Sequence, residues 1–125
     1  MDYVWIGIGA AAGANGRYLL GQAVANRLGN GFPYGTLIVN VSGSLLIGCL
    51  MVVLSDQLLL DTRWRLLLVV GVLGGYTTFS SFSYEVIALL QEDRWLPAAA
   101  YAALSVGLSL AACYGGIVFA RLVGR

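Results

Sequence analysis

Residues 71–85 contain the group of side chains in this sequence that is best suited to bind an ion. They combine the glycine pair Gly74 and Gly75 with five Ser or Thr hydroxyls, two phenylalanines and the carboxylate of Glu85, in an otherwise apolar stretch. Glycine lowers helix propensity, and the hydroxyls that follow can satisfy backbone groups freed by a break in a membrane helix. Such breaks expose carbonyls that coordinate cations and amides that attract anions. We therefore predict a helix broken near Gly74 to Ser81 that could hold a small monovalent cation where two copies meet.

Phe79 and Phe82 in the same stretch are three residues apart and project to a common side of a helix. Phenyl rings have a negative face and a positive edge, so their edges could contact a dehydrated anion. The alternative interpretation is ordinary packing. Glu85 could face the same site, or it could simply be a polar residue near the end of the helix.

Two further segments each have three polar residues spaced by four, which places each set on one face of a helix. These are Thr36, Asn40 and Ser44 in one segment and Tyr101, Ser105 and Ser109 in the other. Hydroxyl and amide groups donate hydrogen bonds to an anion without carrying charge, so two such stripes could line one path. Alternatively they join neighbouring helices, which contributes about 0.6 kcal/mol per contact in membranes.

Arg17 lies inside the first predicted helix. Its side chain either extends to the membrane surface or stands where an anion enters, because an arginine within a span is costly unless it reaches water or a partner. The small residues Gly9 and Gly13 on the same helix predict close approach of a second helix.

The composition indicates the elements that must position these residues. The chain has 125 residues, of which 59% are hydrophobic and 10% charged, and its mean hydropathy is +0.83. Soluble domains carry about 25% charged residues, so the sequence indicates an all-α integral membrane protein. Because a spanning helix needs about 20 apolar residues, we predict one domain of four transmembrane helices. Their approximate bounds are 3–26, 34–55, 65–90 and 96–121.

The arginines give a weak bias in orientation. With four spans, one side of the membrane has Arg63, Arg65, Arg121 and Arg125 and the other has Arg27 and Arg94. Orientation follows this bias in short loops, so we predict insertion in both directions and an antiparallel homodimer. The alternative is a single orientation with cytoplasmic termini.

Other function classes lack support in the sequence. The net charge of +1 offers no basic patch for nucleic acid, and the chain has no histidine and only two cysteines, Cys49 and Cys113, far apart within spans. Metal-ligand spacing and a redox motif are therefore both missing. We predict no catalytic residue and no enzyme activity.

The segments described above resemble the Fluc, or CrcB-like, family of small fluoride channels. The resemblance rests on three motifs in the same order and spacing, GANGRY at 13–18, GTLIVN at 35–40 followed by Gly43 and Gly48, and GVLGGYTTFSSFSYE at 71–85. It covers three of the four predicted helices directly, and the Tyr101, Ser105 and Ser109 stripe lies where the family has its own.

The resemblance implies a passive, fluoride-selective channel in the inner (plasma) membrane that exports cytoplasmic fluoride. It also implies an antiparallel, dual-topology dimer with two pores and a central structural sodium ion, bound by the backbone carbonyls of Gly74 and Thr77 from both copies. The implied pore residues are Arg17, Thr36, Asn40, Ser44, Phe79, Phe82, Glu85, Tyr101, Ser105 and Ser109.

Two other functions remain open from the residues. A small multidrug antiporter also has four helices and exchanges protons for cationic drugs through a buried carboxylate, for which Glu85 is the candidate. A non-transporting membrane assembly subunit would use the polar stripes only to hold helices together.

Overall fold

The computed structural model of the chain describes residues 1–54 and 61–124, and every regular element in these ranges is helical. The all-α prediction is therefore confirmed. In chain order the helices are α1 (Asp2–Leu28), α2 (Tyr34–Val52), α3 (Thr62–Arg65), a π-helical segment (Leu66–Leu73), α4 (Gly74–Tyr76), α5 (Phe79–Gln91) and α6 (Trp95–Val123). Residue 55 at the predicted end of the second span and Arg125 lie outside the described residues.

Three stretches of the described chain are long and apolar enough to cross a membrane, namely Tyr34–Val52, Thr62–Gln91 and Trp95–Val123. Their mean hydropathies are 1.9, 1.5 and 1.8. Helix α1 has the length, with 27 residues, but it is not among the three, since it carries polar Asn15 and Arg17 in its second half. The count of four spans remains a prediction.

Local sequence explains where several of these helices begin and end. Helix α1 ends before Gly29, whose φ of 78° is a left-handed conformation that favours glycine. Pro33, with φ of −79°, directly precedes α2. The side chain of Asp61 caps α3 by accepting a hydrogen bond from the Arg63 amide at 3.1 Å.

Helix α1 packs along the first half of the third helix through glycines, as the small residues predicted. A Cβ added at Gly9 would meet the backbone of Leu67 and Gly71, and one added at Gly13 would meet the backbone of Val72 and Tyr76. Backbones this close leave no space for side chains between them, so α1 is fixed against the segment that precedes the break.

Helices α2 and α6 form the other close pair. A Cβ at Gly48 would meet the backbone of Cys113, and one at Gly116 would meet the backbone of Leu45. Helix α5 packs at the opposite end of this pair, where Leu89 joins Ala98 and the fully buried Tyr101 in a hydrophobic cluster. The polar stripes of α2 and α6 are thereby brought to the break in the third helix.

Candidate functional site

The predicted break in the third helix is confirmed at Thr77 and Thr78. Both residues are extended, with φ/ψ of −84°/157° and −151°/121°, between the end of α4 and the start of α5. Thr78 caps α5 because its Oγ1 accepts from the Ser81 amide at 3.2 Å. The same hydroxyl lies 3.3 Å from Ser80 Oγ and 3.2 Å from Ser81 Oγ, so the hydroxyl-rich sequence stabilises the new helix start.

Asn40 of α2 stabilises the break through two hydrogen bonds to the backbone of Thr78. Its Nδ2 donates to the carbonyl of Thr78 at 2.8 Å, and its Oδ1 accepts from the Thr78 amide, also at 2.8 Å. Both backbone groups of one extended residue are therefore satisfied by one amide side chain. In a membrane interior each unsatisfied backbone group costs several kcal/mol, so Asn40 stabilises the broken conformation directly.

The break leaves the carbonyls of Gly74 and Thr77 without their α-helical donors. In a continuous helix these carbonyls would accept from the amides of Thr78 and Ser81, four residues on. Those amides bond instead to Asn40 and to the Thr78 side chain. Gly74 is exposed and Thr77 half-buried, and the Thr77 amide and hydroxyl both bond to the carbonyl of Leu73. These two carbonyl oxygens beside the break therefore do not accept the α-helical hydrogen bond from the amide four residues on.

A cavity of about 460 Å³, called here the break cavity, lies beside this break. Eight of the predicted site residues line it. They are Asn40, Ser44, Gly74, Thr77, Phe79, Phe82, Ser105 and Ser109. The other lining residues are apolar side chains, Gly43 and Thr78, so none of the described residues that line this cavity carries a formal charge.

The two phenylalanines lie together at one side of the break cavity. Their ring centroids are 5.5 Å apart with an interplanar angle of 47°. Phe79 is 77% exposed, and the break cavity is therefore open on this face of the chain.

Two serines of the break cavity differ in whether their hydroxyl already makes a hydrogen bond. Ser44 Oγ donates to the carbonyl of Asn40 at 2.7 Å, one turn back in its own helix. Ser105 is 7% exposed, and its Oγ makes no hydrogen bond to any described residue. A buried polar group without a partner is costly. The Ser105 hydroxyl is therefore available to bind a ligand in this cavity.

Thr36 and Tyr101, which belong to the two polar stripes, both donate hydrogen bonds to Glu85. The carboxylate of Glu85 accepts from Thr36 Oγ1 at 2.7 Å through Oε1 and from the Tyr101 hydroxyl at 2.8 Å through Oε2. These bonds join α2, α5 and α6. Thr36 and Glu85 line a second cavity of about 340 Å³, called here the loop cavity. It is formed by α1, the connection 29–33, the start of α2, α5, Glu92 and Arg94.

Arg17 lies apart from both cavities, in the described part of the chain. It is half-buried on α1, and its Nε is buried without a hydrogen bond to any described residue. Ten of the twelve predicted site residues therefore line one of the two cavities. The other two, Arg17 and the fully buried Tyr101, line neither.

Sequence reasoning missed two residues that contact the site. Tyr76 packs against Gly43, and its hydroxyl lies 2.8 Å from Ser42 Oγ. Phe32 packs edge-on against Tyr101 at 5.5 Å and lines the loop cavity. The signal for Phe32 was a large apolar residue in a connection of glycine, asparagine and proline, where polar residues are typical.

Comparison with known proteins identifies the family of the chain. A sequence profile described as CrcB-like protein, Camphor Resistance (CrcB), matches residues 4–117. A protein of Roseiflexus sp. (strain RS-1) is 46% identical over 123 residues, which cover 98% of this chain and 99% of that protein. One of Chloroflexus aurantiacus (strain ATCC 29366 / DSM 635 / J-10-fl) is 47% identical over 119 residues, covering 95% and 94%. Both are named fluoride-specific ion channel FluC, which describes a channel and not an enzyme.

A third protein with this name, from Solibacter usitatus (strain Ellin6076), is 46% identical over 121 residues, covering 97% of this chain and 99% of its own length. The match to the family profile and these full-length similarities show that the chain belongs to the CrcB-like protein family.

Proposed function

We propose that this chain is a passive, fluoride-selective channel that lets cytoplasmic fluoride leave the cell across the plasma membrane. The names of its relatives support this function. The observation that carries it is the chemistry of the break cavity, where an amide, serine hydroxyls and phenyl rings meet among apolar side chains without a charged residue.

Neutral donors suit a channel for a small anion. Fluoride is strongly hydrated, so it must exchange water for fixed donors, and it must also leave quickly. Ser105 has a free hydroxyl, Asn40 Nδ2 has a second N–H beyond the one given to Thr78, and ring edges of Phe79 and Phe82 are positive. Sites of this kind bind an ion weakly enough for conduction.

Export needs no energy source in this proposal. Fluoride enters cells as the neutral acid HF, which dissociates at the near-neutral pH of the cytoplasm and is trapped as the anion. A passive path then lets the anion leave down its gradient. Arg17, with its unpartnered Nε, would attract the anion towards the protein.

A second copy of the chain in the opposite orientation would complete the site. The break cavity is open, Phe79 is 77% exposed and Gly74 is exposed, and such apolar surface beside a cavity is suited to a partner. Two copies would give two break cavities and hence two pores, each completed across the interface.

The carbonyls of Gly74 and Thr77 would hold a sodium ion at this interface. They fit a hard cation because both are oxygen ligands that do not accept α-helical hydrogen bonds. Because Gly74 is exposed, the carbonyls of two copies could bind the same ion. When bound, sodium supplies positive charge between the two breaks and ties the copies together.

Fluoride efflux from liposomes tests the proposed function. Purified protein in liposomes loaded with potassium fluoride should release fluoride rapidly when a potassium ionophore relieves the voltage, as recorded with an ion-selective electrode. Phe79→Ile should slow this release, because it removes a ring whose positive edge can contact the anion.

The matched control is Phe119→Ile, since Phe119 is 62% exposed on α6 and lines neither cavity. It should keep the wild-type rate. Liposomes that release no fluoride would refute the channel, and proton-coupled dye uptake lost in Glu85→Gln would indicate the multidrug antiporter instead.

Labelling of a tagged terminus tests the antiparallel pair. We expect a tag at the amino terminus to be reached from outside intact cells in one fraction of the protein and only from inside in the other, because the arginine bias is weak. The same tag on a membrane protein of fixed orientation is the control. Labelling from one side only would contradict dual topology.

A further inference from the structure

Five aromatic rings form a row from the break cavity to the loop cavity. Neighbouring ring centroids are 5.5, 5.2, 5.5 and 4.9 Å apart along the row. The rings belong, in this order, to Phe79, Phe82, Tyr101, Phe32 and Tyr34. The first two line the break cavity and the last two line the loop cavity, so the row bridges the two spaces.

Tyr101 in the middle of the row lies between a ring that lines the break cavity, Phe82, and a ring that lines the loop cavity, Phe32. It is 0% exposed, and it is packed edge-on against Phe82 at 62° on one side and against Phe32 at 76° on the other. Its hydroxyl is held by Glu85. An ion that passed along this row of rings would have to displace the Tyr101 ring.

Phe32 differs from the other four rings because it alone is carried by a connection and not by a helix. That connection contains two glycines, and Gly29 has a positive φ of 78°. Helical neighbours fix Phe82 and Tyr101, whereas the position of Phe32 depends on five residues between α1 and α2. Phe32 is thus the part of the barrier that can move with the least disturbance of the helices.

We propose that Phe32 is a rate-determining residue of the fluoride path, because its ring holds Tyr101 in place against Phe82, between the rings that line the two cavities. This inference rests on the proposed channel function. An edge-on aromatic pair opposes displacement of Tyr101 with an energy equivalent to about a 2- to 13-fold change in rate. The competing interpretation is that Phe32 only covers the cluster of Leu89, Ala98 and Tyr101.

Single-channel currents in planar bilayers distinguish the two interpretations. Phe32→Leu removes the ring but keeps an apolar cover over the cluster, and we expect its fluoride current to rise about 2- to 13-fold. Phe32→Tyr keeps the ring and should stay within about twofold of the wild type. Phe119→Leu, on the exposed face of α6, is the matched control and should not change the current.

A current for Phe32→Leu equal to or below that of the wild type overturns the inference, since a residue that only covers the core has no reason to speed conduction. If that variant does not assemble, Phe32→Trp decides, because a larger ring against Tyr101 should slow conduction at least about twofold, and an unchanged current overturns the inference. Absence of fluoride current in the wild type would overturn the channel function itself, and the role of Phe32 with it.

Discussion

Replacing Asn40 by aspartate is expected to slow fluoride efflux from liposomes about 5- to 150-fold. Aspartate keeps an oxygen that can accept from the Thr78 amide, but it has no N–H to give to the Thr78 carbonyl, which Asn40 reaches at 2.8 Å. A buried carbonyl left without a donor costs about 1–3 kcal/mol. The new carboxylate also repels the permeating anion. The measurement is the initial rate of fluoride release with potassium ionophore present.

A second variant separates the charge from the hydrogen bonds. Asn40→Leu introduces no charge but removes both bonds to Thr78, so we expect it to slow efflux as well. A wild-type rate in Asn40→Leu would contradict the role of Asn40 in holding the break. Ser83→Ala is the control on α5, because Ser83 Oγ bonds only within its own helix, to the carbonyl of Phe79 at 3.0 Å.

The position of the break could be predicted because its signal is local. Two glycines followed by hydroxyl residues weaken one helix and supply the cap for the next, and the structure has the extended residues at Thr77 and Thr78. The spacing by four in α2 and α6 likewise placed Asn40 and Ser105 on helix faces that meet at one cavity.

The partners of these residues could not be predicted, because they depend on how helices pack. Asn40 bonds to a backbone 38 residues away, and nothing in its own segment identifies that partner. From the sequence, Glu85 could be a polar residue near a helix end. In the structure its carboxylate accepts hydrogen bonds from Thr36 of α2 and Tyr101 of α6.

The π-helical segment was also beyond prediction. Leu66–Leu73 is a uniformly apolar run apart from Gly71, so it has no periodicity that would distinguish an α-helix from a π-helix. The π-helical segment lies where Gly9 and Gly71 bring the backbone of α1 into contact with its own backbone. Packing against α1 is therefore the tertiary contact that accompanies the irregular helix.

The close contact of α1 with this segment leads to the second large expected effect, in Gly13→Leu. A Cβ at Gly13 would overlap the carbonyl of Val72 and lie 2.9 Å from the Tyr76 amide. Because these are backbone atoms of a packed helix, they cannot yield as a side chain would. We expect a loss of about 3 kcal/mol in stability, the upper part of the usual range for overpacking, measured by thermal unfolding in detergent.

Gly7→Leu is the matched control on the same helix. A Cβ at Gly7 meets nothing within 4 Å, and replacing glycine in a helix favours the helix by up to about 1 kcal/mol. The control should therefore be neutral or slightly more stable, whereas equal melting temperatures for the two variants would contradict the close contact at Gly13.

The effect of Gly13→Leu should extend from stability to conduction. Tyr76 ends α4 directly before the break, and it packs on Gly43 of α2 with its hydroxyl against Ser42. A side chain at residue 13 pushes on the Tyr76 backbone, so it disturbs the position of Thr77 and Thr78 relative to Asn40. Molecules of this variant that still assemble should conduct fluoride more slowly than Gly7→Leu, because the break is held from both sides, by α1 through Tyr76 and by α2 through Asn40.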